Sequence, residues 1–256
     1  MEKIILGLCT SGSRLKVAVS AGGRFFQAQK KVFNQERVLF PLVKRELKKA
    51  GSGLSGVNTV CSARGPGRFT GIRISLTLAG ALKALAGARV YTATLFEILA
   101  LQAFESAHFR AWAGRSGGTR LAVLLHAFKD EYFCQVFRAG GPKLPRPEGE
   151  PVWLKAGDMK QLLAGINTPF YTIADDEEAP GIYSLAPESA AKAPAVLSKI
   201  IPAYIIKASL AYKNQTLKPL YLKPAKYETI QWGVGSRESG VGNQRNSAPR
   251  TPDPRP

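Results

Sequence analysis

Alternating apolar and polar positions at the start of the chain predict three short β-strands. The first two are "KIILGLC" at 3–9 and "RLKVAVS" at 14–20, separated by the polar turn "TSGS", and "GRFFQAQKKV" follows as the third. Short connections of this kind join antiparallel neighbours. The fold therefore begins with a three-stranded antiparallel meander.

Apolar residues then recur at a helical spacing. A helix capped by Asn34 runs to about Ala50, and Pro41 inside it is expected to bend it. The strand "VNTVCSA", a glycine-rich loop and a helix from about Thr70 to Ala86 come next. The Thr70 hydroxyl is placed to cap that helix.

A further strand, "ARVYTAT", leads into a third helix. Thr94 and Glu97 match a capping box at the start of this helix, which ends near Ser106. The last two strands are joined by a helical crossover, so they must be parallel. The predicted order is β-β-β-α-β-α-β-α, which forms a mixed sheet with helices packed on it.

The pattern predicts a second α/β unit after the polar link "RAWAGRSGGTR". It begins with the hairpin "LAVLLHAF" and "EYFCQVFR" and continues through "PVWLKA", the amphipathic "DMKQLLAGI" and "PFYTIAD". Residues 188–210 are predicted to be mostly helical. We expect an N-terminal subdomain at 1–110, a C-terminal subdomain at 111–228 whose last helix returns to the first, and a disordered tail at 229–256.

The loop "ARGPGRFTGIR" at 63–73 has the strand–turn–helix context in which many proteins hold a phosphate. Glycines at 65, 67 and 71 allow unusual backbone angles and close approach to a ligand. The loop lacks the Gly-Lys-Ser/Thr of a phosphate loop, and its third glycine comes one residue late for a dinucleotide fingerprint. An anion site and a rigid connection both stay open on these residues.

The composition argues against a disulfide-rich, metal-binding, secreted or membrane protein. Three scattered cysteines without CxxC spacing and only two histidines among 256 residues argue against a disulfide framework and against a metal site. The start, "MEKIILGLC", is too short and too acidic for a secretion signal, and no apolar run approaches membrane-spanning length. We expect a cytoplasmic protein without a membrane association.

Net charge is the compositional outlier. The chain carries +18, and its sequence pI is about 10.0. Such a field attracts polyanions, and a nucleic acid is the natural candidate. A source organism whose whole proteome is basic would give the same composition.

Four segments carry a resemblance to a known family. They are "ILGLCTS" at 5–11, "NQERVLFPLVKREL" at 34–47, "ARGPGRFTGIRISL" at 63–76 and "PLYLKP" at 219–224. In their order and spacing they resemble the TsaB family, the YeaZ-like bacterial proteins of tRNA threonylcarbamoyladenosine biosynthesis.

The resemblance implies a fold and a function. The family has the actin-like ATPase fold (ASKHA, ribonuclease H-like), with two α/β subdomains. Its members are non-catalytic paralogues of TsaD, which transfers threonylcarbamoyl to N6 of adenosine 37 in tRNAs reading codons that begin with A. They bind and activate TsaD as a heterodimer, and TsaE with ATP completes the assembly. The expectation is therefore an accessory subunit without cofactor, catalytic residue or metal, which reaches tRNA through the complex. Whether it forms a homodimer when alone stays open.

The resemblance also implies site residues. The partner interface is expected on the first two helices, at Leu39, Leu42, Val43, Leu47, Leu76, Thr77 and Gly80. The glycine loop is expected to act as a rigid turn that starts an interface helix; its residues are Arg64, Gly65, Pro66, Gly67, Arg68, Thr70, Gly71 and Arg73. Arg73 is expected to tie the loop to the first turn of that helix.

Two departures from the family pattern weaken a nucleotide hypothesis. Cys9 stands where the family usually has the Asp of "IDTS", and residues 34–36 replace the usual "HSE". A carboxylate at the first position helps to organise metal-bound phosphates in actin-like ATPases, and a cysteine does not suit magnesium.

Two alternatives to the accessory role are kept. One is an actin-like nucleotide-binding enzyme or a metallopeptidase-like protein. The other is direct tRNA binding through the basic surface, with Phe25, Phe26 or Tyr132 stacking on bases, although strands bury such aromatics routinely.

Overall fold

The computed structural model describes residues 3–139 and 144–223, which form two β-sheets and six α-helices. The strands are β1 Ile4–Cys9, β2 Arg14–Ala21, β3 Arg24–Lys31, β4 Val57–Ala63, β5 Arg89–Ala93, β6 Arg120–Phe128, β7 Glu131–Arg138, β8 Arg146–Pro147, β9 Val152–Lys155, β10 Phe170–Ala174 and β11 Ala191–Lys192. The helices are α1 Gln35–Lys49, α2 Phe69–Ala86, α3 Leu95–Phe104, α4 Ala107–Ser116, α5 Ala156–Ala164 and α6 Pro202–Tyr212.

The two sheets share one topology. The first has the order β3-β2-β1-β4-β5, with an antiparallel meander on one side of β1 and two parallel strands on the other. In the second, β6 is central, β7 pairs with it antiparallel and is flanked by β8 and β9, and β10 and β11 continue in parallel on the other side. This repeated mixed sheet with helices confirms the predicted actin-like α/β fold.

The first sheet is covered on both faces. Leucine and valine side chains of α1 and α2 pack with those of β1, β2 and β4 in one core. The last helix, α6, packs on the opposite face of the same sheet. Gly7 in β1 permits this, because a Cβ there would lie 2.7 Å from Ile206 of α6. The boundaries expected near residues 110 and 228 stay predictions.

The capping box at the start of α3 is confirmed, whereas the predictions for residues 110–120 and 188–201 are wrong. Thr94 and Glu97 form the expected capping box. The expected polar link instead contains α4, because the Ser106 hydroxyl caps it and Phe109 buries its ring in the core. Residues 188–201 are not helical, and α6 begins only where Pro202 supplies a first-turn proline. The predicted tail at 229–256 lies outside the described residues.

Among the described residues, α2 alone has the length and average composition of a membrane-spanning helix. Arg73 and Lys83 interrupt its apolar residues, so the expectation that no uninterrupted apolar run is long enough to span a bilayer is unchanged. The helix packs on β4 and β5, and its inward side chains, such as Ile72 and Leu78, are buried there. A core helix of a sheet has this same character.

Candidate functional site

The turn between β1 and β2, residues 10–13, is joined to the glycine loop by hydrogen bonds. The Thr10 hydroxyl donates to the carbonyl of Gly71 over 2.5 Å. The Arg68 amide donates to the carbonyl of Ser11 over 2.8 Å. The two loops therefore form one unit at the carboxyl ends of the neighbouring parallel strands β1 and β4.

Three glycines of the loop are required by close backbone contacts. A Cβ on Gly71 would lie 2.0 Å from the Thr10 carbonyl oxygen, and one on Gly67 would lie 2.5 Å from the Ser11 carbonyl oxygen. Gly65 has φ +105°, and Gly67 has φ +151°. Pro66 follows a cis peptide bond. Contacts within the protein thus account for all three glycines without a bound anion.

Thr70 does not cap α2 as predicted, and Arg73 contacts both the first turn of α2 and the C-terminal segment. The N-cap of α2 is Arg68, without a side-chain cap, and Thr70 lies exposed in the first turn. The guanidinium of Arg73 lies 3.9 Å from the centre of the Phe69 ring, and its Nε donates to the Tyr221 hydroxyl over 3.1 Å. Arg73 therefore ties α2 to the C-terminal segment.

That C-terminal segment runs back along the first sheet. The Leu220 amide donates to the carbonyl of half-buried Arg64, and the Thr92 amide donates to that of Asn214, both over 2.7 Å. Leu217 lies 3.7 Å from where a Cβ on Gly80 would be. The segment thus covers part of α2.

A cavity of about 220 Å³ separates the glycine loop from the second sheet. Its walls come from three places. They are the β1–β2 hairpin with Cys9, Ser11 and Lys16; the loop at Pro66, Gly67 and Arg68; and the second sheet with its following loop, at His126, Asp175 and Glu178.

An internal carboxylate fills the concave side of the β1–β2 turn. Glu178 accepts hydrogen bonds from the Ser13 amide over 2.8 Å and from the Ser13 hydroxyl over 3.0 Å. A Cβ on Gly12 would lie 2.8 Å from the same carboxylate. An anion bound at this turn would have to displace Glu178.

A buried lysine beside the turn is also paired internally. Lys16 is only 2% exposed, and its Nζ lies 2.9 Å from a carboxylate oxygen of Glu177. Arg14 lies 3.2 Å from the other oxygen of the same group. Burial alone would raise the pKa of Glu177, but the hydrogen bond and charge of Lys16, with Arg14, lower that pKa below its ordinary value.

Asp175 is the member of this cluster that is buried without a cationic partner in hydrogen-bond contact. It is 5% exposed, and its Oδ1 has no hydrogen-bond partner among the described residues. Burial raises the pKa of Asp175 to about 6, against an opposing effect of the Lys16 charge. The hydrogen bonds and ion pair of Glu177 and Glu178 join the second sheet to the β1–β2 hairpin of the first.

The predicted interface residues divide into two groups. Four of them, Leu39, Leu42, Val43 and Leu47, are at most 5% exposed and belong to the protein's own core, so they cannot form a contact surface as α1 is packed here. Leu76 is also buried.

Thr77 is exposed and Gly80 is half-buried. The sequence did not separate the two groups because an apolar helical stripe looks the same whether it faces a sheet or a partner.

Comparisons with known proteins agree with the sequence segments. The family model of TsaD, tRNA N6-adenosine threonylcarbamoyltransferase, matches residues 34–141. A protein named tRNA threonylcarbamoyladenosine biosynthesis protein TsaB from Buchnera aphidicola subsp. Schizaphis graminum is 30% identical over 106 residues, or 41% of this chain and 50% of the relative. Its namesake from Buchnera aphidicola subsp. Baizongia pistaciae is 34% identical over 80 residues, or 31% of this chain and 36% of the relative.

Two solved structures from Pseudomonas aeruginosa match the fold over 86% of this chain and 100% of their own. One is YeaZ, with a TM-score of 0.63 and 22% identity. The other is an uncharacterized protein with similarity to peptidase YEAZ, with a TM-score of 0.66 and 21% identity. The chain is TsaB/YeaZ-like. It spans half or less of the length of the TsaB relatives that it matches.

The acidic residues of the cleft were not predicted from the sequence, whereas Pro66, Gly67 and Arg68 of the glycine loop were. Glu177 and Glu178 lie more than 160 positions from their partners in the first hairpin, so spacing could not bring them together. Cys9 lies beside them, and burial raises the pKa of its thiol. A protonated thiol at this position is a poor ligand for magnesium.

Proposed function

We propose that this chain is a non-catalytic partner that binds and activates a TsaD-type enzyme. The reaction would be the formation of N6-threonylcarbamoyladenosine at position 37 of tRNA. The observation that carries the proposal is the sequence match to proteins named TsaB. The fold shared with YeaZ is consistent with it.

The cleft favours this role over that of a nucleotide-binding enzyme. Glu178 occupies the turn where a phosphate would approach, and Glu177 neutralises the buried Lys16. Cys9 supplies no carboxylate for a metal-bound phosphate. A ligand would therefore have to break internal contacts before it could bind.

A metallopeptidase-like role finds little chemical support. Within residues 3–139 and 144–223, no three histidine, cysteine or acidic side chains are grouped closely enough to hold a metal ion. Metal-assisted hydrolysis needs about three such ligands around one ion.

The proposed contact with TsaD is the outer helical surface, which we define as Phe69, Thr77 and Leu85 of α2 with Phe40 of α1. Leu85 is 88% exposed, and Phe40 and Phe69 are 48% and 47% exposed. Interfaces are centred on apolar, close-packed side chains with few charges. A second copy of this chain would use the same surface when TsaD is absent, and TsaE with ATP would join the heterodimer.

Co-purification of tagged chain with TsaD from the same organism tests the proposal. Wild type is expected to retain TsaD, and Thr77→Arg to lose it, because a long charged side chain would hold the helices apart. Gln161→Arg on exposed α5 is the matched control and should bind as wild type does. Failure of wild type to bind TsaD would overturn the proposed partnership.

A further inference from the structure

The outer edges of the two sheets are protected to different degrees. In the second sheet, the outermost strands β8, β9 and β11 are two, four and two residues long. In the first sheet, the C-terminal segment covers the β5 edge, where the Thr92 amide donates to the carbonyl of Asn214. Strand β3 differs, because it pairs with β2 over eight residues and no other described residue pairs with its outer side. A long open edge of this kind is a template for an additional strand.

The hairpin geometry identifies the backbone groups that β3 leaves free. Gly22 and Gly23 form a two-residue turn, so Ala21 and Arg24, which flank it, are a hydrogen-bonded pair. Hydrogen-bonded and open pairs alternate along an antiparallel ladder, so every second residue of β3 directs its N–H and C=O groups away from β2. These residues are Phe25, Gln27, Gln29 and Lys31. None of their outward groups has a backbone partner within residues 3–139 and 144–223.

A groove beside this edge can receive the side chains of an added strand. The Gln27 side chain points to the face of the sheet that carries α6, where its Oε1 accepts a hydrogen bond from the Ala203 amide over 2.9 Å. A groove of about 240 Å³ lies on this face, between β3 and the segment 199–202. Buried Ile200 and half-buried Pro202 give it apolar walls. A strand paired with β3 would turn every second side chain to this face.

The charge along the edge selects the kind of strand that fits. Arg24, Lys30 and Lys31 are exposed, β3 contains no acidic residue, and Lys199 lines the groove. None of these four cations forms a salt bridge in the part of the chain that the structure describes. A second copy of β3 would set cations against cations, which destabilises paired strands. Residues 224–256 hold more basic than acidic side chains, so they do not supply a matching strand.

We propose that the β3 edge binds an extended acidic segment of a partner protein, which adds to the first sheet as a further strand. Main-chain hydrogen bonds to the outward groups of Gln27 and Gln29 and their neighbours would hold the segment. Its carboxylates would meet the cations of β3 and Lys199, and its apolar side chains would enter the groove. This inference does not depend on the proposed function. The proposed TsaD contact lies over α1 and α2, on the opposite face of the sheet from the groove.

Fluorescence anisotropy with a labelled peptide of alternating glutamate and valine, matched to β3 in length, tests this inference on the full chain. The acidic peptide should bind at least about tenfold more tightly than a peptide of equal length that alternates lysine and valine. Equal binding of the two peptides would overturn the inference.

A proline in β3 tests the main-chain pairing. Gln29→Pro removes one outward amide, and an edge strand tolerates proline where the N–H faces solvent. This variant should bind the acidic peptide about tenfold more weakly, whereas the control Gln29→Ala keeps the amide and should bind within about threefold of wild type. Circular dichroism checks that both variants fold. Unchanged binding by a folded Gln29→Pro variant would overturn the inference.

Charge reversal tests the selectivity of the edge. Lys30→Glu with Lys31→Glu should weaken binding of the acidic peptide by about tenfold or more. The control Arg110→Glu with Arg115→Glu changes the net charge equally on exposed positions of α4 and should bind within about threefold of wild type. Equal losses in the two double variants would indicate only a nonspecific field and would overturn the inference.

Methylation of the peptide backbone keeps the test decisive even if Gln29→Pro does not fold. Two acidic peptides, N-methylated at the odd or at the even residues, each have one blocked edge, and only one edge can face β3. One peptide should therefore lose binding and the other should keep it, and equal effects would overturn the inference. A wild-type dimer that Gln29→Pro dissociates, without binding of the acidic peptide, would also overturn it and would assign the edge to a second copy.

Discussion

The cleft and the outer surface of the first sheet hold similar residues in opposite states. In the cleft, Lys16 is paired with Glu177, and Glu178 fills the turn that an anion would need. On the outside, Lys44 and Lys48 have no acidic partner among the described residues, and large apolar side chains such as Leu85 lie in solvent. Charged side chains that are paired within the protein stabilise the fold. Unpaired charges and exposed apolar side chains are available to contact a partner.

The difference separates the part of this fold that stabilises it from the part that can bind. The cleft between the two sheets is a cavity whose polar groups join the two halves of the protein. The α1 and α2 surface has the free charge and free apolar area. We therefore expect substitutions in the cleft to change stability and substitutions outside to change binding.

Substituting two glycines of α2 should give the largest difference in the free energy of unfolding. Gly71→Ala should destabilise the protein by about 3 to 5 kcal/mol, because its Cβ would meet the Thr10 backbone at 2.0 Å. Gly80→Ala should be neutral or stabilising by up to about 1 kcal/mol, because its Cβ would lie 3.7 Å from Leu217 and alanine favours a helix. Urea unfolding of both variants measures the contrast, and equal effects would contradict it.

Removing one charge in the cleft and one on the outside should give the next largest difference in the free energy of unfolding. Glu177→Gln should cost about 2 to 4 kcal/mol, because it leaves the buried ammonium of Lys16 without its carboxylate. Lys44→Gln on the outside should change the free energy of unfolding by less than about 0.5 kcal/mol. Denaturant midpoints test this pair, and a Glu177→Gln variant as stable as wild type would show that the cleft pairing is dispensable.

Replacing Asp175 should give a smaller change in the free energy of unfolding, and this change depends on pH. Its folded-state pKa of about 6 exceeds the ordinary value of 3.8, so the folded protein holds this proton more tightly than the unfolded chain does. Its contribution to stability is therefore present below about pH 4 and is lost as pH rises through about 6. Asp175→Asn cannot ionise, so its stability relative to wild type should rise by about 2 kcal/mol between about pH 4.5 and about pH 7.5.

Denaturation of both proteins at the two pH values checks this prediction. Subtracting wild type from variant removes the titration of all other groups. A difference that does not change with pH would mean that Asp175 keeps its ordinary pKa. A difference that falls as pH rises would mean that Lys16 outweighs burial.

The sequence predicted the first sheet better than the cleft or the surface. Local periodicity was sufficient for the β1–β2–β3 meander, and the Thr94–Glu97 capping box was visible as a four-residue motif. The pairing of Ser13 with Glu178 spans 165 positions, and no local pattern encodes it. Which side of α1 faces a partner also depends on how the helix packs, so Leu39 and Val43 were assigned to an interface although they lie in the core.

Reconstitution of tRNA modification tests the central proposal most directly. TsaD from the same organism would be assayed with TsaE, ATP, the threonylcarbamoyl donor and unmodified tRNA, with this chain present or absent, and the modified nucleoside measured. We predict that product forms only when the chain is present, that Thr77→Arg abolishes this activation and that Glu178→Gln preserves it. Equal amounts of product with and without the chain would contradict its role as an activator. A fully active Thr77→Arg variant together with an inactive Glu178→Gln variant would contradict a non-catalytic partner that acts through its outer helical surface.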